Sequence, residues 1–525
     1  MSENKKIIDI KTDHVSQSVK ITTVSHYENE NTSDSGTSIY TGRGDSKTTC
    51  WTAIMGDIYA EDDPQLYSTT KKNIIIFIIA LCGISSNIGN MIYMPDVVRI
   101  SQDLNTTLTG MTGTISVYVV FLGVAPLFWA CMSDTYGRKP MYVISLIFSI
   151  VASILCAVSS NITMLIIFRA IQACGTSSGQ TLGAGVIADT IDPPNRGRAY
   201  GIFYVGPLLG HVIGPTIGGV LCQYLGWQSS FYFLAILGTV LLMLVIFLLP
   251  ETLRKKRIVM DEKHAKDRFK ALKNLKAAFC PMIGMLGDPT VLLITLYNTV
   301  ILSCFYFLTP TITETFQALY NYTSFQIGLC YIFYGAGLVV GSVTSGRYAD
   351  FVLARLRKKK GKENVYPEMI LKATFPSFIL MPAGYLLYGW STQMGVAVYA
   401  PLAGLFIYSF GQMFAFAPSS LYLVDSKPGR SASAVAINNC VRSVIAAITA
   451  IFSSTSLNAV GPGILFSILA VLNVINIITV LLVMVYGKKW RTNFEERIGT
   501  GEKPTVSDSL DLELAIIHSR ISSIR

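Results

Sequence analysis

Four polar residues recur along one apolar stretch: Arg169, Gln172, Thr176 and Gln180, at i, i+3, i+7 and i+11. That spacing puts them on one face of a helix. No carboxylate stands near Arg169 in the sequence. A buried cation in a membrane helix is costly unless paired or hydrated, and so is a functional candidate. The stripe reads as the lining of a central cavity; the alternative is an arginine pinning backbone carbonyls between helices. A second pair, Asn438 and Arg442, lies one turn apart in another apolar run. There the competing reading is an interfacial arginine that snorkels to the headgroups. Ser86, Asn90 and Tyr93 share a face of the first apolar run, and Asn298, Tyr408 and Gln412 fall in later ones. Each alone reads as a helix–helix hydrogen bond; their number favours a polar cavity.

Titratable groups within the apolar runs are few. His211 lies near the middle of one and can change charge near neutral pH. The competing reading packs it, neutral, against neighbouring glycines. Asp96, just after Pro95, is the second candidate, against a helix-end carboxylate of no special role. No metal-ligand cluster and no nucleophile–base pair is visible inside the runs, so the sequence offers neither a metal site nor an enzyme's chemistry.

The elements that position these residues follow from composition. Of 525 residues, 51% are hydrophobic and 14% charged, and the mean hydropathy is +0.48. Soluble domains carry about 25% charged residues. Apolar runs of about 20 residues recur, each long enough to cross a bilayer as a helix. The fold class is therefore an all-α polytopic membrane protein. Twelve spans are expected, at about 73–95, 110–132, 140–159, 162–188, 199–222, 229–249, 290–310, 326–346, 369–389, 394–417, 435–457 and 464–486. The net charge of +10 sits in short loops between spans, which is a topology signal rather than a sign of nucleic-acid binding. Ten scattered cysteines with no C-x-x-C pair indicate neither disulfides nor zinc.

Lys and Arg concentrate in alternate loops: Arg138 and Lys139, Arg196 and Arg198, Arg254 to Lys276, Arg355 to Lys362, Lys427 and Arg430. Arg99 is the exception in the other set. Positive loops stay in the cytoplasm, so both termini are expected there and the span count is even. The expected organisation is a disordered cytoplasmic tail over 1–72, a six-helix bundle over 73–252, a basic cytoplasmic loop over 253–288, a second bundle over 289–487 and a tail over 488–525. Asp134 ends "ACMSD" after span two, and Asp350 ends "GRYAD" at the corresponding place after span eight. This correspondence points to an internal repeat. Asn105-Thr-Thr and Asn321-Tyr-Thr are glycosylation sequons in expected outside loops.

The stretch "GPLLGHVIGPTIGG", 206–219, places Gly206, Gly210, Gly214 and Gly218 every four residues, with Pro207 and Pro215 among them and Gly219 beside the last. Small residues along one face let two helix backbones approach closely in lipid. Prolines are tolerated where neighbours or water satisfy the freed carbonyls. A closely packed, bent helix is expected, with plain glycine-mediated dimer packing as the alternative.

"GHVIGPTIGG" resembles the fifth-helix signature of antiporters in the major facilitator superfamily, and other signatures follow in order. "SDTYGRKP", 133–140, is similar to the loop motif after the second helix; "LIIFRAIQACG", 165–175, to the fourth-helix motif. "PETLR", 250–254, and "YLVDSKPGRSASAVAINNCVR", 422–442, resemble the sixth-helix end and the start of the eleventh helix in the fungal 12-helix drug:proton antiporter family. Ala130, Thr135, Ala173 and His211 depart from these patterns, and Thr135 weakens the expected loop charge network. The resemblance implies the major facilitator fold, two six-helix halves rocking about one central cavity. It implies a gate at Asp134, Gly137, Arg138 and Lys139, with Asp350 as counterpart; simple topology-setting charge is the alternative for both aspartates. It further implies proton-driven export of small molecules of the multidrug type, with no cofactor. Citrate-like organic anions are the alternative substrate class, and a non-transporting nutrient sensor is the remote alternative. The partners implied are a small-molecule substrate, protons and the lipid bilayer, in a plasma-membrane monomer; a vacuolar or spore membrane is the other location.

Overall fold

The computed structural model describes residues 63–192, 195–253, 283–360, 366–427 and 430–497. Most of the expected N-terminal tail, the bulk of the basic central loop, the end of the basic stretch after span eight and the C-terminal tail lie outside the described residues.

The described chain is built of helices. The first crossing, Thr69–Asp103, consists of α1 (Thr69–Met91), a 3-10 turn at Met94–Asp96 and the short α2 (Val97–Asp103). Pro95 lacks the N–H that would continue the α-helical ladder, which places the change of helix type there. Next come α3 (Leu108–Tyr136), α4 (Arg138–Ala157), α5 (Ile162–Thr176), α6 (Ser178–Thr190), α7 (Arg196–Leu225) and α8 (Gln228–Leu248). The second half runs α9 (Pro289–Tyr320), α10 (Ser324–Lys360), α11 (Ser377–Gln393), α12 (Tyr399–Asp425), α13 (Ser431–Ile451) and α14 (Ser453–Arg497).

Among the described residues, eleven helices are long and apolar enough to cross a membrane. The fourth crossing is the twelfth: α5 and α6, of 15 and 13 residues, adjoin at Ser177, whose backbone stays helical (φ −61°, ψ −24°) and bonds the Ala173 carbonyl at 3.0 Å. Two close approaches flank this junction. A Cβ on Gly175 would stand 2.6 Å from the Ser149 nitrogen of α4, and one on Gly179 would stand 2.4 Å from the Cys82 carbonyl of α1. Each piece is thereby fitted to a different neighbour. The connection between the last two crossings is itself helical up to Gly461, whose φ of 76° breaks α14 before Pro462.

Local caps start several helices. Thr107 accepts from Gly110 N–H at 3.1 Å, Asn161 from Met164 N–H at 2.8 Å, and Asp288 from Thr290 N–H at 2.8 Å, each satisfying an otherwise orphaned first-turn donor. The outward faces carry exposed large apolar side chains such as Phe148, Ile236, Phe247, Ile379, Val471 and Val485, the reverse of a soluble protein and the surface lipid requires.

The glycine ladder of α7 packs on α1. A Cβ on Gly206 would come within 2.6 Å of the Ala80 carbonyl, one on Gly210 within 2.8 Å of Asn87 Cβ, one on Gly214 within 3.2 Å of Ile88 Cα, and one on Gly218 within 1.6 Å of the Ile92 carbonyl. Gly219 faces another way and meets Ser324 and Gly328 of α10. Helix α7 runs through Pro207 and Pro215 without a break. Asn87 donates to the Pro207 carbonyl at 2.7 Å, so α1 supplies a polar group to this proline-containing turn.

Candidate functional site

Arg169 on α5 is fully buried. It donates to the Gly89 carbonyl of α1 at 2.7 Å and to Gln172 Oε1 at 2.7 Å. Its guanidinium lies 4.0 Å from the Tyr118 ring centre and 4.6 Å from that of Tyr93, each contact worth about 0.5–2 kcal/mol when desolvated. Gln172 donates to Ser153 of α4 at 2.7 Å, and Thr176 bonds Tyr118 at 2.8 Å. Gln180 reaches Ser86 of α1 at 3.0 Å. The stripe thus faces the packed interior of the first half. A cavity of about 10 Å³ beside it, lined by Gly89, Ser153, Gln172 and Thr176 among others, has room for roughly one water.

Asn90 and Tyr306 carry this polar interior across to the second half. Asn90, buried on α1, donates to Tyr306 Oη of α9 at 3.0 Å. Arg442 of α13 lies close enough to Tyr306 and to Tyr204 of α7 to interact electrostatically with both, and stacks 4.7 Å from the Phe416 ring centre. Its Nε is buried without a hydrogen-bond partner. His211 bonds the Pro207 carbonyl of its own helix at 3.2 Å through Nδ1, and its ring meets Phe305 edge-on at 5.9 Å. From Phe305 an aromatic row continues through Tyr334 to Tyr408, at centroid separations of 5.7 and 6.5 Å, with Tyr334 donating to Gln412 at 3.1 Å. Asn298, Asn438 and Ser419 bond one another, at 3.2 and 2.7 Å, joining α9, α12 and α13.

The two halves meet along α7–α10 and α3–α13. On the face away from the basic loops they are tied by several hydrogen bonds. Thr313 donates to the Met94 carbonyl at 2.8 Å, Thr112 to the Ile451 carbonyl at 3.4 Å, and Ser324 to Asp96. Asp96 is therefore part of this seam, buried, with its second oxygen unpartnered. Toward the basic face, Gly201 of α7 and Gly346 of α10 are exposed, with nothing within 4 Å of a Cβ built on either.

The loop motif lies at the basic face of the first half. Gly137 has a φ of 102°, a backbone that favours glycine, and turns the chain from α3 into α4. Arg138 pairs with Asp134 at 2.7 Å and with Asp189 of α6 at 3.0 Å. Asp134 is 66% exposed and Asp189 only 17%, so Asp189 is the inner partner. Glu251 caps α4, accepting from the backbone N–H groups of Arg138 and Lys139 at 2.9 and 3.0 Å. Burial pushes the Glu251 carboxyl up, against backbone hydrogen bonds from Leu253, Arg138, Lys139 and Thr252 that hold it down. Lys139 reaches the Ile246 carbonyl at 2.8 Å. Asp350 is exposed and makes no ion pair among the described residues. The second half instead has Asp288 with Lys427, and Glu368 with Arg491 at 3.2 Å.

Sequence reasoning passed over Asp189, Tyr204, Phe305, Tyr306 and Phe416. The aromatic residues carry no local mark among 26 Tyr and 26 Phe; only the meeting of α7, α9, α12 and α13 distinguishes them.

The family model described as Major Facilitator Superfamily matches residues 79–450. The chain is 26% identical to the MFS antiporter QDR3 of Candida albicans, over 83% of this chain and 80% of that protein. It is 30% identical to Citrate exporter 1 of Aspergillus niger, over 82% of this chain and 89% of that protein. Among solved structures, it is similar to a bacterial homolog of the human lysosomal transporter Spinster in an inward-facing, unoccupied conformation. That match has a TM-score of 0.56 and 13% identity, covering 82% of this chain and 98% of the other; it speaks for the fold. The match of more than half the chain to the family model, together with the citrate-exporter relative, places this chain in the major facilitator superfamily of membrane transporters.

Proposed function

We propose that this chain is a proton-coupled antiporter that exports small molecules by alternating access. The observation that carries the reading is the seam: hydrogen bonds tie the halves at the face away from the basic loops, and the halves share a polar and aromatic middle. The positive-inside rule puts the basic face in the cytoplasm, so the side away from these ties is the one a cytoplasmic substrate would enter. Both termini then lie in the cytoplasm, and the plasma membrane is the proposed location, with the chain acting as a monomer. The relatives named as an antiporter and an exporter support the direction of transport. Asp134, Arg138 and Asp189 serve as the cytoplasmic gate, pairs that rearrange as the halves rock. Asp96 at the outer seam and His211 in the middle are the proposed proton-carrying groups.

The test is proton-driven uptake into sealed inside-out vesicles, with labelled citrate and a cationic drug in parallel, in wild type and Arg169→Ala. Uptake that needs the proton gradient and is lost in the variant supports the reading. Uptake of either compound that persists after the gradient is collapsed would contradict proton coupling.

A further inference from the structure

Two arginines lie in membrane helices without a carboxylate partner, and their surroundings differ. Arg169 is enclosed and fully buried: two carbonyl oxygens accept from its Nη1, two tyrosine rings cover it, and its Nε and Nη2 are buried without acceptors. Arg442 is partly exposed and stands between the halves, beside Tyr204 of α7, Tyr306 of α9 and Phe416 of α12. It is in no ion pair among the described residues, and its buried Nε has no acceptor. Tyr306 beside it receives a hydrogen bond from Asn90 Nδ2, which leaves the Tyr306 O–H free to be donated. Asn90 Oδ1, fully buried, has no donor. A cation with an unfilled N–H, a neighbouring hydroxyl donor, and an unfilled amide acceptor on the residue bonded to that hydroxyl make an incomplete hydrogen-bonding set. Its chemical complement is a carboxylate bearing a nearby hydroxyl or N–H. Apolar surface adjoins it: Phe416 stacks on Arg442, and Phe305 lies 4.7 Å from the Tyr306 ring centre.

We infer that Arg442, Tyr306 and Asn90 form a subsite that takes the carboxylate of an exported organic anion, with Phe305 and Phe416 against its apolar body. This rests on the exporter reading above and assigns the substrate's charge to Arg442, not to Arg169. Among the described residues no carboxylate faces this subsite to receive a cationic drug; the acidic groups at the seam, Asp96 and Glu314, lie toward the opposite face, where Ser324 and Asn458 respectively bond them.

The test uses two dyes with the same ring system and opposite charge, carboxyfluorescein and rhodamine 123, with purified full-length chain. Binding is read by fluorescence anisotropy for wild type, Arg442→Gln, Arg442→Lys and Tyr306→Phe. Tyr306→Phe removes one oxygen and keeps the ring, so the test survives if an arginine variant fails to fold. The expected result is carboxyfluorescein binding weakened about tenfold or more by Arg442→Gln and about threefold by Tyr306→Phe, as loss of a charged and a neutral hydrogen bond would give. Arg442→Lys should fall between wild type and Arg442→Gln, and rhodamine 123 binding should not weaken in any variant. Carboxyfluorescein binding that is absent in wild type at millimolar concentration, or equal in wild type and folded variants, would overturn the subsite. Proton-driven vesicle uptake of the two dyes separates the two inferences. Gradient-dependent uptake of rhodamine 123 alone would overturn the subsite and leave the exporter standing. Arg442-dependent dye binding without any gradient-dependent uptake would overturn proton-driven export and leave the subsite standing.

Discussion

Arg169 and Arg442 pose the same physical problem and meet it differently. Both carry a charge into lipid-spanning helices, where a lone cation is expensive. Around Arg169 the first half packs closely: the Gly89 carbonyl and Gln172 accept from Nη1 and the Tyr93 and Tyr118 rings cover the guanidinium, while Nε and Nη2 are buried without acceptors. Arg442 is partly exposed: one phenylalanine stacks on it, and its Nε is buried without an acceptor. A cation sealed from every side makes a fixed structural centre, and one left partly exposed leaves a place for a ligand. The lesson is that charge alone does not mark a transport site; its accessibility does.

The comparison breaks most readily through stability. Arg169→Gln should cost on the order of 3 kcal/mol, since it removes charged hydrogen bonds and two aromatic contacts together. Arg442→Gln should cost less than about 1 kcal/mol, one partly exposed stack. Thermal unfolding in detergent checks both, and a larger loss for Arg442 than for Arg169 would reverse the assignment. A related contrast separates the packed interior from the exposed basic face. Gly218→Ala sets a methyl against the Ile92 carbonyl and should cost about 2 kcal/mol, the usual scale of overpacking. Gly201→Ala meets open space and should leave the melting temperature near that of wild type. At the basic face, Asp189→Asn should cost about 1 kcal/mol by taking a charged partner from Arg138. Asp134→Asn, at a mostly exposed pair, should cost at most a few tenths, roughly the worth of a surface pair.

The smallest effect expected is the pH dependence contributed by Glu251. Its carboxyl is raised by burial in the folded chain. As pH rises above the ordinary glutamate range, the unfolded chain releases that proton before the folded chain does, so this site's contribution to stability falls across the window up to the raised value. Glu251→Gln should flatten that slope in melting curves taken at several pH values, and an unchanged slope would show that the carboxyl does not titrate there.

Much of this was legible in the sequence because membrane physics is repetitive. Apolar length and the Lys/Arg alternation give the crossings, and glycines four residues apart on α7 announce a close helix contact before its partner α1 is known. Arg169 and Arg442 stand out because cations are rare in such helices. Other features depend on tertiary partners. The close approaches at Gly175 and Gly179 depend on two different helices, α4 and α1. Asp189 looks like any helix-end carboxylate until Arg138 is folded over it. Tyr306 and Phe416, more than a hundred residues apart, acquire meaning only where α9 and α12 meet α13. The polar residues Asn298 and Asn438 were visible as a class, but their pairing with each other was not.

The central claim is that the halves rock about the seam. The most direct measurement is the distance between paired spin labels in the full-length chain, reconstituted in lipid. One pair is placed at Gly201 and Gly346 on the basic face, the other at Tyr224 and Val396 on the opposite face, all sites with open space or high exposure. Changing pH or adding carboxyfluorescein should shift the two distance distributions in opposite senses, the basic-face pair shortening as the opposite pair lengthens. Distances that stay fixed at both faces while gradient-driven flux continues would contradict the account.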